Sequence, residues 1–221
     1  MSKLYFRYGA MNSGKSTALL QAAYNYEERG QQVLLAKPNI DTKGESLIVS
    51  RLGTTRPVDF VIDANEDLYA LFAAERAQVL KNAGKDVSCL LVDEAQFLSE
   101  SQVDDLLRIA ILDEVPVLAY GIRTDFQTVA FPGSRRLLEV AHSLEELKTI
   151  CRCGRKAVFN ARKVGGRFTF DGDQVAIDQG LVTYESLCGN CYLDESDGVL
   201  NNGRKARADF SYVEEPDPDF T

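Results

Sequence analysis

The sequence predicts an α/β fold, a parallel sheet with helices on both faces, followed by a small C-terminal unit of different character. Three observations predict it. Short apolar runs alternate with helically spaced apolar positions through the first two thirds of the 221 residues. A glycine-rich turn separates the first apolar run from the first helix. Near Lys148 helical periodicity stops, glycines gather at Gly165, Gly166 and Gly172, and two tight cysteine pairs bracket the segment.

Residues 4–8 alternate apolar and polar side chains, as a strand does. Residues 9–14 are a turn, and 15–28 a helix in which Ala18, Leu19, Ala22, Ala23 and Tyr26 recur at helical spacing. Gly30 stops it, and 33–36 is a short buried strand. A long polar loop is expected through residue 57, then a strand over 60–62 and a helix over 66–83 closed by Gly84. Residues 87–92 form the strongest strand candidate, within which Cys89 is a small buried hydrophobe. Ser99 and Gln102 make a capping box that opens a helix to about Ile111, and 116–120 is one more strand. Short apolar strands of this kind cannot leave either face to water, and ligands then sit at their carboxyl ends. The expected division is a nucleotide-binding domain over 1–148, a metal-binding unit over 149–192 and a flexible acidic tail over 193–221.

Composition narrows the function. The hydrophobic fraction of 45% supports a buried core, and the net charge is −8 from 25 basic and 33 acidic side chains. Residues 192–221 carry 8 acids against 3 bases. A duplex-binding protein needs a basic surplus against phosphates, so stable nucleic-acid binding is not expected. No run of 18 apolar residues occurs and the first residues do not read as a secretory signal, so the expectation is a cytoplasmic protein away from the membrane.

Gly9, Ala10, Met11, Asn12, Ser13, Gly14, Lys15 and Ser16 fit G-x-x-x-x-G-K-[ST], after a strand and before a helix. Phosphates need closely packed donors and positive charge. Glycines let backbone N–H groups turn inward, the helix N-terminus adds partial positive charge, Lys15 reaches the terminal phosphates and Ser16 can ligate Mg²⁺. The acidic partner is expected on a neighbouring strand, where residues 90–92 run into Asp93, Glu94, Ala95 and Gln96. Asp93 would hold the Mg²⁺ shell and Glu94 would face whatever attacks the γ-phosphorus; alternatively Asp93 caps a helix and Glu94 is a solvated loop acid.

Cys151 with Cys153 and Cys188 with Cys191, separated by 34 residues of hairpin-like sequence, suit a closed tetrahedral site for a structural Zn²⁺. Free thiols are the alternative.

Together these motifs, with Tyr120-Gly121-Ile122-Arg123-Thr124-Asp125-Phe126, closely resemble the type II thymidine kinases from about Leu4 to Tyr192. The resemblance implies a RecA-like P-loop core bearing a small zinc-ribbon-like lasso unit. It implies transfer of the ATP γ-phosphoryl group, with Mg²⁺, to the 5′-hydroxyl of thymidine and also of deoxyuridine, in a cytoplasmic homotetramer with dTTP as a feedback inhibitor. Glu94 matches the catalytic base, Lys15, Ser16 and Asp93 the nucleotide and Mg²⁺ positions, and Asp41 an acidic position near the phosphates. The nucleoside would lie under a lasso containing Val175, Ala176, Ile177, Asp178 and Gln179. Tyr184 matches the lasso tyrosine and Phe97, Phe126 and Phe131 the aromatic walls. Two departures stand out: Asp178-Gln179 where the family commonly has Gly-Gly, and Asp41-Thr42-Lys43 where it has Asp-x-Arg. The rival reading is a zinc-ribbon P-loop ATPase acting on nucleic acid, since Asp93-Glu94-Ala95-Gln96 also resembles a helicase-type acidic box. A nucleotide-dependent scaffold is a third.

Overall fold

The computed structural model describes residues 2–39, 46–174, 182–200 and 204–205. From the N-terminus run β1 (Leu4–Tyr8), α1 (Lys15–Glu27), β2 (Gln32–Pro38), the short strands β3 (Leu47–Val49) and β4 (Thr55–Pro57), β5 (Phe60–Ile62), α2 (Leu68–Ala83) and β6 (Val87–Val92). After a 3₁₀ turn at Ala95–Phe97 come α3 (Glu100–Leu112), β7 (Val117–Gly121), α4 (Pro132–Val140) and β8 (Ser143–Glu146). These build a six-stranded sheet of order β5-β2-β6-β7-β1-β8 in which every neighbouring pair is parallel.

Strand residues alternate between two cores, as a pleat requires. Leu4, Phe6, Leu34, Ala36, Leu90, Val92, Val117 and Ala119 point to one face, where Phe72 of α2, Leu106 of α3 and Leu137 of α4 cover them. Val33, Leu35, Cys89, Leu91, Leu118 and Tyr120 point to the other, under Leu19 and Ala23 of α1. Burial on both faces is why the central strands β2, β6 and β7 are mostly apolar runs, whereas β1 alternates.

The chain then makes β9 (Thr149–Ile150), β10 (Lys156–Ala157), β11 (Phe159–Val164), β12 (Arg167–Thr169), β13 (Val182–Leu187) and α5 (Gly189–Glu195). β11 pairs antiparallel with both β12 and β13. A separate small core of Cys151, Ala157, Ala161, Leu187, Cys188 and Tyr192 lies beneath them. Val199–Leu200 pairs with Arg204–Lys205 at the end of the described chain.

Several expectations need correction. The polar stretch before residue 57 contains an antiparallel hairpin, β3 with β4, whose three-residue strands are too short for a period to register and which turns at Ser50 and Gly53. The second helix begins at Leu68, because the Asp67 side chain accepts from the Ala70 N–H and so fixes the cap one residue after Glu66. α4 and β8 have no counterpart in the sequence reading. α4 opens on Pro132 and buries Gly133 and Ser134, leaving Leu137 as its buried apolar side chain, and β8 reads Ser-Leu-Glu-Glu. α5 was also missed, hidden in the second cysteine knuckle. Finally, Asp93 does not follow a strand adjacent to the first one, because β7 lies between β1 and β6.

Candidate active site

The phosphate loop leaves β1 and returns into α1, tied to the sheet by the Gly9 N–H donating to Gly121 O at 3.3 Å. Gly14, at φ 77°, makes no side-chain cap bond, so N–H groups of the first turn of α1 remain open to an anion. Lys15 Nζ folds back on the loop, donating to Ala10 O at 3.0 Å and Gly9 O at 3.4 Å. Burial lowers its pKa; Glu94 and Asp93 oppose that, and Arg51 adds to it.

One strand away, Asp93 lies against the loop despite β7 standing between. Its Oδ2 accepts from Ser16 Oγ at 2.9 Å and its Oδ1 from the Glu94 N–H at 3.0 Å. Burial, followed by the neighbouring Glu94 charge, raises its pKa, with the Ser16 bond acting the other way. Glu94 sits at φ 50°, a left-handed backbone that turns its side chain out of the strand direction. Gln96 orients that carboxylate: its Nε2 donates to Glu94 Oε2 at 2.5 Å while its Oε1 accepts from the Ile122 N–H at 3.2 Å. Gly121 makes this possible, since a Cβ there would lie 2.7 Å from Gln96 Oε1. Ala95 is wholly buried in the sheet core.

A cleft of about 730 Å³ opens on this arrangement, lined by Met11, Asn12, Gly14, Lys15, Ser16 and Glu94 together with Val49, Arg51 and Leu52 of the β3–β4 hairpin. Phe97, Phe126, Phe131 and Tyr184 do not line it. Phe97 and Phe131 meet edge to face at 5.2 Å, and Phe126 is buried beneath the Arg162 guanidinium, 3.5 Å from its ring centre. Tyr184 stands opposite Arg162 in the β11–β13 register, on the same face. Asp41 and residues 175–179 lie outside the described residues.

The C-terminal sheet supplies contacts that the sequence reading missed. Asn160 Oδ1 accepts from the Met11 N–H at 2.7 Å, its Nδ2 donates to Thr124 O at 2.9 Å, and Ser186 Oγ donates to Met11 O. Asn160, Arg162, Tyr184 and Ser186 are two register-matched pairs on one face of β11 and β13. The available signal was their spacing of two, Asn160-x-Arg162 and Tyr184-x-Ser186, within strand-like segments.

On the far side of that sheet the four thiols Cys151, Cys153, Cys188 and Cys191 all lie within 4.8 Å of one another. A tetrahedron with metal–sulfur legs of about 2.3 Å has edges of about 3.8 Å, so the cluster fits a single ion. Burial opposes ionisation of Cys151, but hydrogen bonds from the backbone at Cys153 and Cys188 outweigh it and hold its pKa down to about 7. Cys89 takes no part; burial pushes its thiol up to about 12.

Comparison with known proteins agrees with this geometry. The family model for thymidine kinase matches residues 2–192. A thymidine kinase of Legionella pneumophila (strain Paris) is 47% identical over 190 residues, 85% of this chain and 88% of its own. That of Mesorhizobium japonicum is 45% identical over 212 residues, 95% and 97% of the two chains, and that of enterobacteria phage T4 is 44% identical over 190 residues, 85% and 94%. With a phosphate loop, an acidic pair bonded to it and a four-thiol cluster in one chain, and relatives at these identities over nearly its whole length, the chain belongs to the thymidine kinase family.

Proposed function

We propose that the protein transfers the γ-phosphoryl group of ATP to the 5′-hydroxyl of thymidine, with deoxyuridine as a further acceptor, giving dTMP and ADP. The observation that carries this reading is the 2.9 Å bond from Ser16 to Asp93, which joins the phosphate loop to the acidic strand end beside Glu94. Ser16 and Asp93 would hold a divalent cation, Mg²⁺, with Asp41 assisting, and the ion would neutralise charge on the phosphates. Lys15 would exchange its loop carbonyls for phosphate oxygens, and the open N–H groups of α1 would bind the same anion. Glu94, held by Gln96, would accept the 5′-hydroxyl proton as that oxygen bonds to the γ-phosphorus and the bond to the β–γ bridging oxygen breaks.

In this reading residues 1–148 bind ATP and residues 149–192 carry a structural Zn²⁺ on Cys151, Cys153, Cys188 and Cys191. The second unit would also cover thymidine with Tyr184 and residues 175–179, against Phe97, Phe126 and Phe131 of the first. Because α5 runs to Glu195, any appended tail begins after that helix and not at residue 193. A cytoplasmic homotetramer inhibited by dTTP is the family expectation. No helix among the described residues is long and apolar enough to cross a membrane.

ATP consumption measured with thymidine, and separately with single-stranded DNA, tests the reading. ADP and dTMP should appear together and only with thymidine. Consumption driven by single-stranded DNA, with none driven by thymidine, would replace it with the nucleic-acid ATPase.

A further inference from the structure

We propose that Gln127 and Arg162 are positioning residues for the nucleoside end of the reaction, acting by fixing both Phe126 and the main chain that leads out of β12. The proposal rests on the reading of Phe126 and Tyr184 as part of the nucleoside site.

Four consecutive carbonyls beyond β12 are claimed by these two side chains. Gln127 Nε2 donates to Phe170 O and to Gly172 O, each at 3.1 Å. Arg162 Nη2 donates to Asp173 O at 2.8 Å and, at 3.5 Å, to Asp171 O. The next residue is tied as well, since Gln174 Nε2 donates to Asp125 Oδ2 at 3.0 Å. Asp125 in turn accepts at Oδ1 from the N–H groups of Gln127 and Val129, which sets the turn that presents Gln127.

The arrangement is costly, and a connecting segment does not need it. Main chain that merely runs over a surface gives its carbonyls to water. Here an arginine only 4% exposed is spent on them, with the desolvation that entails, and its Nε has no partner among the described residues. Gly172 takes φ 105°, a backbone conformation that glycine adopts without strain, beside the Arg162 guanidinium. The same guanidinium lies over the ring of Phe126, whose neighbour in sequence is Gln127. One pair of side chains therefore registers Phe126 against the main chain of residues 170–173.

Neither residue lines the cleft at the phosphate loop, so the expected effect is confined to the nucleoside. Gln127→Met keeps the side-chain length and loses both donated bonds. With two neutral bonds lost, thymidine KM should rise about fivefold or more. Gln127→Glu should raise it further, because a carboxylate would face two carbonyls with no proton to give. Arg162→Lys retains the charge without the planar fork, so it should resemble Gln127→Met and not the parent. ATP KM at saturating thymidine, kcat, bound zinc and melting temperature should stay near parent values in both Gln127 variants.

All kinetics should be run on the full chain, with Tyr184→Ala as a control on the nucleoside reading. Thymidine KM unchanged in the Gln127 variants but raised in Tyr184→Ala would overturn the positioning role and leave the nucleoside reading standing. Equal rises in both KM values, with zinc loss or a lowered melting temperature, would make Gln127 a support of the fold and overturn the role too. A parent enzyme that does not phosphorylate thymidine would remove both.

Discussion

A carboxylate works as a general base when its geometry is set before the substrate arrives, and Gln96 sets that of Glu94. Replacing Glu94 with Gln keeps the size but removes the proton acceptor, which should lower kcat by about 10² to 10⁴ while ATP binding persists. Turnover within about threefold of the parent would exclude Glu94 as the base. Lys15→Ala should weaken ATP binding and turnover together, since the ammonium would contact the phosphates in ground and transition states alike. At this scale the sequence was most legible where the chemistry is local. The run from Gly9 to Ser16 and the adjacent pair Asp93-Glu94 carry their meaning in their spacing. Gln96 was legible as a motif position but not as the residue that aims Glu94, because the Ile122 N–H it bonds lies 26 residues on.

Secondary-structure elements make their own predictions. β5 is a three-residue edge strand, and Asp59 closes it onto β2: the Leu35 N–H donates to Asp59 Oδ2 at 2.7 Å, while the Asp59 N–H donates to Leu35 O at 2.8 Å. Burial raises the Asp59 pKa, with the Leu35 bond and Arg56 acting against it. A raised carboxyl binds its proton more tightly in the folded state, so its contribution favours folding at low pH and turns against it as pH rises through that pKa. Asn keeps an oxygen for the Leu35 N–H and cannot ionise. The melting temperature of Asp59→Asn relative to the parent should therefore move in the variant's favour between about pH 4 and about pH 7. A difference that stays flat or moves the other way would show that Asp59 is not held up by burial. The helix α5 offers a second test, since it joins the cysteine cluster to the aromatic wall. Tyr192 donates from its hydroxyl to Phe126 O at 2.6 Å and packs edge to face on Phe170. Purified protein should hold about one zinc per chain, and Cys188→Ser should release it and raise thymidine KM through Tyr192. Metal analysis that finds no zinc in a fully active parent would refute the structural ion. The central strands and the capped helices were readable because burial on two faces and capping leave patterns within a few residues. α4, β8 and the β3–β4 hairpin were not, because tertiary neighbours and not periodicity hold them: Gly133 packs on the carbonyls of Ala95 and Leu98, and β8 gains its place by pairing with β1.

On the scale of the whole molecule, the C-terminal sheet is bonded to the phosphate loop and also carries Arg162 over Phe126, the proposed nucleoside wall. Asn160 takes the Met11 N–H and Ser186 the Met11 carbonyl, 149 and 175 residues along the chain from them. No local pattern announces such a contact; it exists only after β11 and β13 have paired and been set against β1. Asn160 is 2% exposed, so Asn160→Ala would strand the Met11 N–H and Thr124 O in a dry interface, costing about 1–3 kcal/mol. Because the stranded group belongs to the phosphate loop, the penalty should appear at the ATP end, as an ATP KM raised about fivefold or more, although the substituted residue lies on the sheet that faces the nucleoside. Ser186→Ala should do less, since Met11 O has a second lone pair and loses only one donor. The contrast is with Gln127, six residues after the end of β7 at Gly121, whose variants should move thymidine and leave ATP alone. If Asn160→Ala instead raised thymidine KM and left ATP KM at the parent value, the Met11 contact would be packing without consequence for the loop, and the two ends of the site would be coupled by some other route.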